Sequence, residues 1–274
     1  MRRVLFPALG AGLLTLLGPA ALVGQIDYRN IDDDRPTLTE DAYPIERYAW
    51  EVLVPYRFER ERDGSRVHSS ELEIEYGAVM NAHVGIKALL AGVRTPAGGG
   101  LPAQTDWGLG GLRLFALYNF FTEGPVLPAV SLRGDLGVPV GNLAGDAVRG
   151  MAKLIVTRSW GRTRLHLNVA RGFGDEDAVG AVEPLPRWFW GGAIDHTLFR
   201  QSVLLLGEVY ALETNRAAPT EVNATVGARW QWSPTAVLDV GVSRRLRSEA
   251  GPDLALTAGL SYTFALPGLM PGNR

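Results

Sequence analysis

The sequence predicts an all-β fold: a transmembrane, antiparallel, up-and-down β-barrel of about 12 strands, of the bacterial outer-membrane type. Three observations predict it. From residue 47 onward, ten-residue segments alternate apolar and polar side chains; the connections between them alternate long and short; aromatic residues collect near the segment ends. Alternation places one set of side chains on each face of a strand, and a strand tilted across a bilayer needs about 9–11 residues.

The elements follow in order. Strands are predicted at 47–57, 69–78, 82–91, 106–120, 126–138, 147–159, 162–172, 187–198, 202–213, 221–232, 236–246 and 253–264. In the tenth, Val222, Ala224, Val226, Ala228, Trp230 and Trp232 share one face, while Glu221, Asn223, Thr225, Arg229 and Gln231 share the other. A helix would scatter both sets. The seventh opposes Leu165, Leu167 and Val169 to Arg164, His166 and Asn168, and the twelfth opposes Leu254, Leu256, Leu260 and Tyr262 to Asp253, Thr257, Ser261 and Thr263. In the second, Glu71, Glu73 and Glu75 alternate with Leu72, Ile74 and Tyr76.

Polar or Gly/Pro-rich loops are expected at 59–68, 92–105, 139–146, 173–186, 214–220 and 247–252, with brief turns at 79–81, 121–125, 160–161, 199–201 and 233–235. Long outer loops opposite short periplasmic turns are the rhythm of a membrane barrel. Tyr48, Trp50, Phe120, Phe121, Trp160, Phe199, Trp230, Trp232, Tyr262 and Phe264 fall at the short-turn side, and Phe58, Trp107, Phe173, Trp188 and Trp190 towards the other rim. Aromatic rings mark the two membrane interfaces.

Ahead of the strands, Met1-Arg2-Arg3 and the apolar run 4–23 read as a secretory signal peptide over 1–24, cleaved between Ala20 and Gln25. Residues 25–45, with Asp32-Asp33-Asp34 and two prolines, read as an irregular leader that is either a periplasmic extension or a plug inside the lumen. The barrel then occupies 46–265 and a tail 266–274.

Composition removes several classes of function. Of 274 residues, 27 are Lys or Arg and 29 Asp or Glu, with no basic stripe, so no nucleic-acid partner is expected. The absence of cysteine excludes disulfides, thiolate metal sites and an acylated lipoprotein cysteine. His68, His83, His166 and His196 lack metal-ligand spacing, Gly108-Leu-Gly-Gly-Leu112 opens a strand where a dinucleotide loop needs a helix, and Asp175-Glu176-Asp177 lacks the spaced ligands of a calcium loop. No G-x-S-x-G elbow occurs. No metal, cofactor or catalytic residue is therefore assigned.

The informative residues are charges at strand centres. A Lys or Arg against lipid at the midplane costs about 2–4 kcal/mol, so Glu51, Glu73, Glu75, Lys87, Arg113, Arg133, Asp135, Arg149, Lys153, Arg164, His166, Glu208, Arg229, Asp239 and Arg245 are assigned to the lumen as candidate solute-contacting groups. Such a mixed set either lines a hydrated channel or pairs across the barrel and closes it.

Four runs carry a resemblance: 128–141 (PAVSLRGDLGVPVG), 165–172 (LHLNVARG), 226–241 (VGARWQWSPTAVLDVG) and the closing 258–264 (AGLSYTF). Over most of the chain after the leader, the sequence resembles a family of outer-membrane proteins named for the meta pathway of phenol degradation. The resemblance implies passive passage of small aromatic or hydrophobic molecules across the outer membrane. A Phe ending the last strand is familiar from barrels handled by the outer-membrane assembly machinery, although here a tail follows Phe264. The expected partners are outer-membrane lipid, that machinery and a small-molecule solute. The alternatives are a lipid-acting outer-membrane enzyme and a closed structural or adhesive barrel.

Overall fold

The computed structural model describes residues 27, 29–33, 35–97, 102–175, 180, 182, 185–198, 202–246, 250–266 and 269–270. The predicted signal peptide, Phe199, Glu176 and Asp177 lie outside the described residues. Twelve strands form among the described residues: β1 (Ala49–Arg60), β2 (Arg66–Val79), β3 (Ala82–Thr95), β4 (Gln104–Phe121), β5 (Ala129–Val138), β6 (Arg149–Trp160), β7 (Thr163–Phe173), β8 (Trp188–Leu198), β9 (Val203–Glu213), β10 (Glu221–Ser233), β11 (Ala236–Arg245) and β12 (Leu254–Ala265). Each pairs antiparallel with its sequence neighbours, and β1 pairs with β12 from Ala49↔Ala265 to Arg60↔Leu254, so the sheet closes without an edge. Closure satisfies every strand's backbone groups within the wall, which a hydrocarbon solvent demands.

The pleat then sorts side chains by solvent. Val54, Leu72, Ile86, Leu114, Leu132, Leu154, Leu167, Ile194, Leu205, Val226, Val240 and Leu256 point outward and are exposed, while the residues alternating with them are buried. Aromatic pairs collect at the short-turn end: Trp50 with Tyr76 (4.6 Å), Tyr118 with Phe120 (4.8 Å) and Tyr262 with Phe264 (6.2 Å). Trp188 and Trp190 stack at 5.4 Å near the opposite rim. The exterior is thus an apolar belt between aromatic girdles.

Two expectations about connections change. β1 and β2 run further than their alternation suggested, which leaves only residues 61–65 as the first outer connection. β5 begins at Ala129, because Pro125 and Pro128 have no N–H for a ladder. The turn at 122–128 is instead tied to β6. The Arg158 guanidinium donates to the carbonyls of Gly124 (2.7 Å), Pro125 (2.8 Å) and Leu127 (3.0 Å), and Glu123 accepts from the Ser159 N–H at 2.7 Å. This periplasmic-type turn is therefore longer than the outer connection at 61–65. At the other end, the long connections fold inward: the Leu143 N–H donates to the Leu109 carbonyl at 3.0 Å, and Leu185 is fully buried against Met151, Ala170, Phe189 and Tyr210.

Because the belt faces an apolar medium, replacing Leu154 by Arg is expected to destabilise the barrel by about 2–4 kcal/mol. Denaturant titration of the barrel refolded in lipid bilayers checks this, with Leu154→Ala as reference.

Candidate functional site

The interior is built from the inward positions of all twelve strands. Fourteen of the fifteen residues assigned to the lumen are buried there: Glu51, Glu73, Glu75, Lys87, Arg113, Arg133, Asp135, Arg149, Lys153, Arg164, His166, Glu208, Arg229 and Asp239. Arg245 also turns inward, at the long-loop mouth, where it bonds Asp253 and donates to the Gly251 carbonyl at 3.1 Å. The charges are segregated. Lys87, Arg113, Arg133 and Lys153 stand on the consecutive strands β3 to β6, whereas Glu51, Glu73 and Glu75 stand on β1 and β2 and Asp239 on β11.

Part of this charge is answered within the wall, Glu73 lying 3.1 Å from Lys87 and Asp135 2.9 Å from Arg133, and the rest by the leader, which folds as a loop inside the barrel. Its two limbs are joined where the Asp41 N–H donates to the Ile31 carbonyl (2.9 Å) and the Ile31 N–H donates to an Asp41 carboxylate oxygen (3.1 Å). The acids of this loop point to the basic wall. Asp33 lies 2.6 Å from Lys87, 2.9 Å from Arg133, 3.1 Å from Arg113 and 3.6 Å from Lys153. Glu40 meets Lys153 at 2.7 Å and Arg133 at 2.8 Å, and Asp41 meets Arg164 at 3.0 Å. The one buried loop cation, Arg35, points the other way, donating to the Ser261 hydroxyl at 2.6 Å and standing 3.6 Å from Asp239.

Backbone groups of the loop are satisfied by the wall as well. Leu38 and Thr39 N–H groups donate to Glu208 (3.1 and 2.5 Å), the Glu40 N–H to Asn168 (2.9 Å), the Ala42 N–H to Thr157 (3.0 Å) and the Ile45 N–H to His83 (3.3 Å). Ser131 and Asn119 donate to the Ala42 carbonyl at 2.5 and 2.8 Å. An irregular chain buried away from water needs such partners. Tyr43 leaves this interior towards the 122–128 turn, where its hydroxyl donates to Glu123 at 3.1 Å. Burial and that carboxylate push the Tyr43 phenol up to about 12.

Inward glycines make the room. A Cβ added at Gly77 would lie 2.0 Å from the Glu46 carbonyl oxygen, one at Gly191 2.2 Å from the Thr39 hydroxyl, and ones at Gly227 and Gly241 2.7 and 2.6 Å from Pro36. The glycine excess of the sequence thus includes a track shaped to the loop.

Between the loop tip and the long-loop mouth lies a cavity of about 190 Å³. Its lining is mixed, with apolar Leu38, Met151 and Phe189 beside charged Arg57, Glu59, Arg113 and Lys153, and with Tyr210 packed against Phe189. Arg57 donates to Glu59 at 2.6 Å and lies 3.5 Å from the Tyr210 oxygen.

Sequence reasoning missed the partners on the loop and the uncharged Thr157, which give no lipid-exclusion signal; it set Asn168 on the polar face without naming it a candidate, and omitted Asp195 although a carboxylate inside β8 carries that signal. His166 bridges Thr157 Oγ1 (3.0 Å at Nδ1) and Asp195 (2.9 Å at Nε2). The set has the connectivity of a nucleophile, base and orienting acid. Yet all three are buried, and Thr157 is already engaged by the Ala42 N–H, so no carbonyl carbon can approach it. Ser261, the other hydroxyl of interest, accepts from Arg35. Among the described residues no group of three His, Asp or Glu side chains can hold a metal ion.

No family model matches the sequence, and no curated protein does. Solved structures do match. The KdgM porin is 14% identical, covering 77% of this chain and 98% of its own, with a TM-score of 0.50. An outer membrane channel from Pseudomonas putida F1 is also 14% identical, covering 82% of this chain and 98% of its own, with a TM-score of 0.57. The chain has the fold of these outer-membrane porin barrels. At this identity the likeness is one of architecture, and the residues of the lumen must be read for themselves.

Gly227→Leu is expected to expel the loop by filling the space of Pro36. A Glu-specific endoproteinase, which cannot reach the buried Glu40 of the native protein, should then cleave the folded variant after Glu40; mass spectrometry of the released fragment checks this.

Proposed function

We propose that this protein is an outer-membrane channel that lets small solutes, aromatic or hydrophobic ones among them, move down their concentration gradient, with the lumenal loop setting the width of the path. The observation that carries this reading is the closed barrel with an apolar exterior and an interior rich in charged and polar groups, entered through a cavity that ends on the loop. A concentration gradient suffices as driving force, and the protein is read as a conduit and not an enzyme. The sealed surroundings of Thr157, His166 and Asp195 support that choice over the lipid-acting alternative.

The cavity supports the solute class. Its volume is close to the roughly 150 Å³ that accommodates one benzene ring in an apolar protein cavity, and its Phe189 and Met151 offer ring and thioether contacts. Arg57 and the Tyr210 hydroxyl, also in the lining, suit a polar substituent on that ring. The runs that resemble the meta-pathway family of phenol degradation agree with this class. In this reading residues 1–24 direct export, 25–45 supply the loop, 46–265 form the wall, and the fifteen charged or titratable lumen residues contact solute or hold the loop.

Asp33 is the residue through which the loop is held most strongly. Removing one partner of a buried ion pair costs about 3–5 kcal/mol, and Asp33 faces four cations. Asp33→Asn is therefore expected to release the loop and raise single-channel conductance in planar bilayers severalfold over wild type. Conductance equal to wild type would reject the loop as the limiting element. The chain has no cysteine, so the pair Ala42→Cys and Thr157→Cys gives the converse test: oxidation should hold flux of a small phenolic solute into vesicles at its floor, and reduction should restore it. A protein that passes no solute with its loop released is not a channel.

A further inference from the structure

The outer surface carries a feature that solute passage does not use. Arg94, Arg66 and Arg60 are direct cross-strand neighbours on β3, β2 and β1, and the row continues through Leu254 of β12 to Arg244 of β11. The four arginines are exposed and lie on the outward face, each within two residues of the long-loop end of its strand. Their guanidiniums have no hydrogen-bonding or acidic partner among the described residues. Like charges placed directly opposite on neighbouring strands destabilise a sheet, so this row is an arrangement that an external anion must relieve.

The residues beneath say where that anion sits. One step closer to the midplane on the same face, the cross-strand row reads Trp107, Gly92, His68, Phe58, Leu256 and Val242. The His68 ring lies 5.0 Å from Phe58 and 6.1 Å from Trp107, and the Trp107 ring covers Gly92. Aromatic rings settle at the headgroup level of a bilayer, so groups one row further out meet the headgroups. The opposite wall differs: its outward residues near that rim include Val148, Phe173 and Trp190, and its arginine there, Arg171, is held over the Trp188 ring at 4.9 Å and donates to the Arg187 carbonyl at 3.1 Å. The basic row is therefore local to β11, β12 and β1 to β3.

We propose that Arg60, Arg66, Arg94 and Arg244 form a binding site for the phosphate groups of a phosphorylated glycolipid in the leaflet at the long-loop rim, its acyl chains lying against Phe58, Leu256 and Val242. Guanidinium forks bind phosphate bidentately, and a lipid with two or more phosphates spans neighbouring strands where a single free phosphate cannot. The site rests on the barrel spanning the outer membrane with its long loops outside, and it is independent of what passes through the lumen.

The test uses the full chain purified in a neutral detergent. It is incubated with a bis-phosphorylated acyl glucosamine disaccharide, with the same lipid after enzymatic removal of both phosphates, or with inorganic phosphate alone, and bound mass is read by native mass spectrometry. Wild type should retain the phosphorylated lipid at least tenfold better than the dephosphorylated one. The variant carrying Arg60→Gln, Arg66→Gln, Arg94→Gln and Arg244→Gln should lose that preference, while Arg62→Gln with Arg162→Gln, exposed but outside the row, should keep it. Heat-modifiable gel migration and unchanged conductance establish that the quadruple variant is folded. Equal retention by wild type and the quadruple variant, equal retention of both lipids, or displacement of the lipid by millimolar inorganic phosphate overturns the proposal, and a folded barrel that conducts yet shows any of these overturns it without touching the channel reading.

Discussion

The constraint on which this structure depends is that hydrocarbon accepts neither an unpaired backbone group nor a charge. Closing β1 on β12 removes the first difficulty. The second drives every strand-centre charge into a lumen too narrow to hydrate them all, and there the low dielectric makes an unpaired ion costly. Wall charges cancel only in part, through Glu73 beside Lys87 and Asp135 beside Arg133, which leaves the cations of β3 to β6 in excess. The leader cancels them, placing Asp33 and Glu40 on the basic side and Arg35 on the acidic side.

In the channel proposed above, this arrangement ties conduction to electrostatics. The same ion pairs that stabilise the folded interior occupy the path a solute would take, and the cavity above the loop tip is the part of that path left open towards the long-loop mouth. Both limbs of the loop meet at Ile31 and Asp41, so the obstruction is anchored at its base and wedged at its tip.

How much of this was legible in the sequence depends on whether a residue touches lipid. Glu73, Lys87, Arg133 and Arg164 were readable as inward because a charge at a strand centre has one tolerable direction. The start of β5 was misplaced because the apolar Val126 and Leu127 mimic strand residues, and the contacts that hold the 122–128 turn, Arg158 to three carbonyls, are not periodic. Thr157 was passed over because its importance lies in what it faces across the lumen, whereas Asp195, a carboxylate inside β8, carried the same signal as the others and was omitted. A signal for the loop did exist: the inward list carries more cations than carboxylates, and an acidic run at 32–34 precedes the first strand.

By itself the sequence determined the wall: the number of strands, which face of each meets lipid, and the location of the aromatic girdles. These are local properties, written in a period of two and in the spacing of turns, and a one-residue slip would expose charge to hydrocarbon. Only the tertiary structure decided that the leader lies inside and that its acids and Arg35 sort to opposite walls. It alone decided that Gly77, Gly191, Gly227 and Gly241 form a track for the loop, and that four arginines distant in sequence share one row. Those facts depend on closure and register, which bring residues from distant strands together across a lumen or side by side on a rim, and no pattern along the chain encodes such distances.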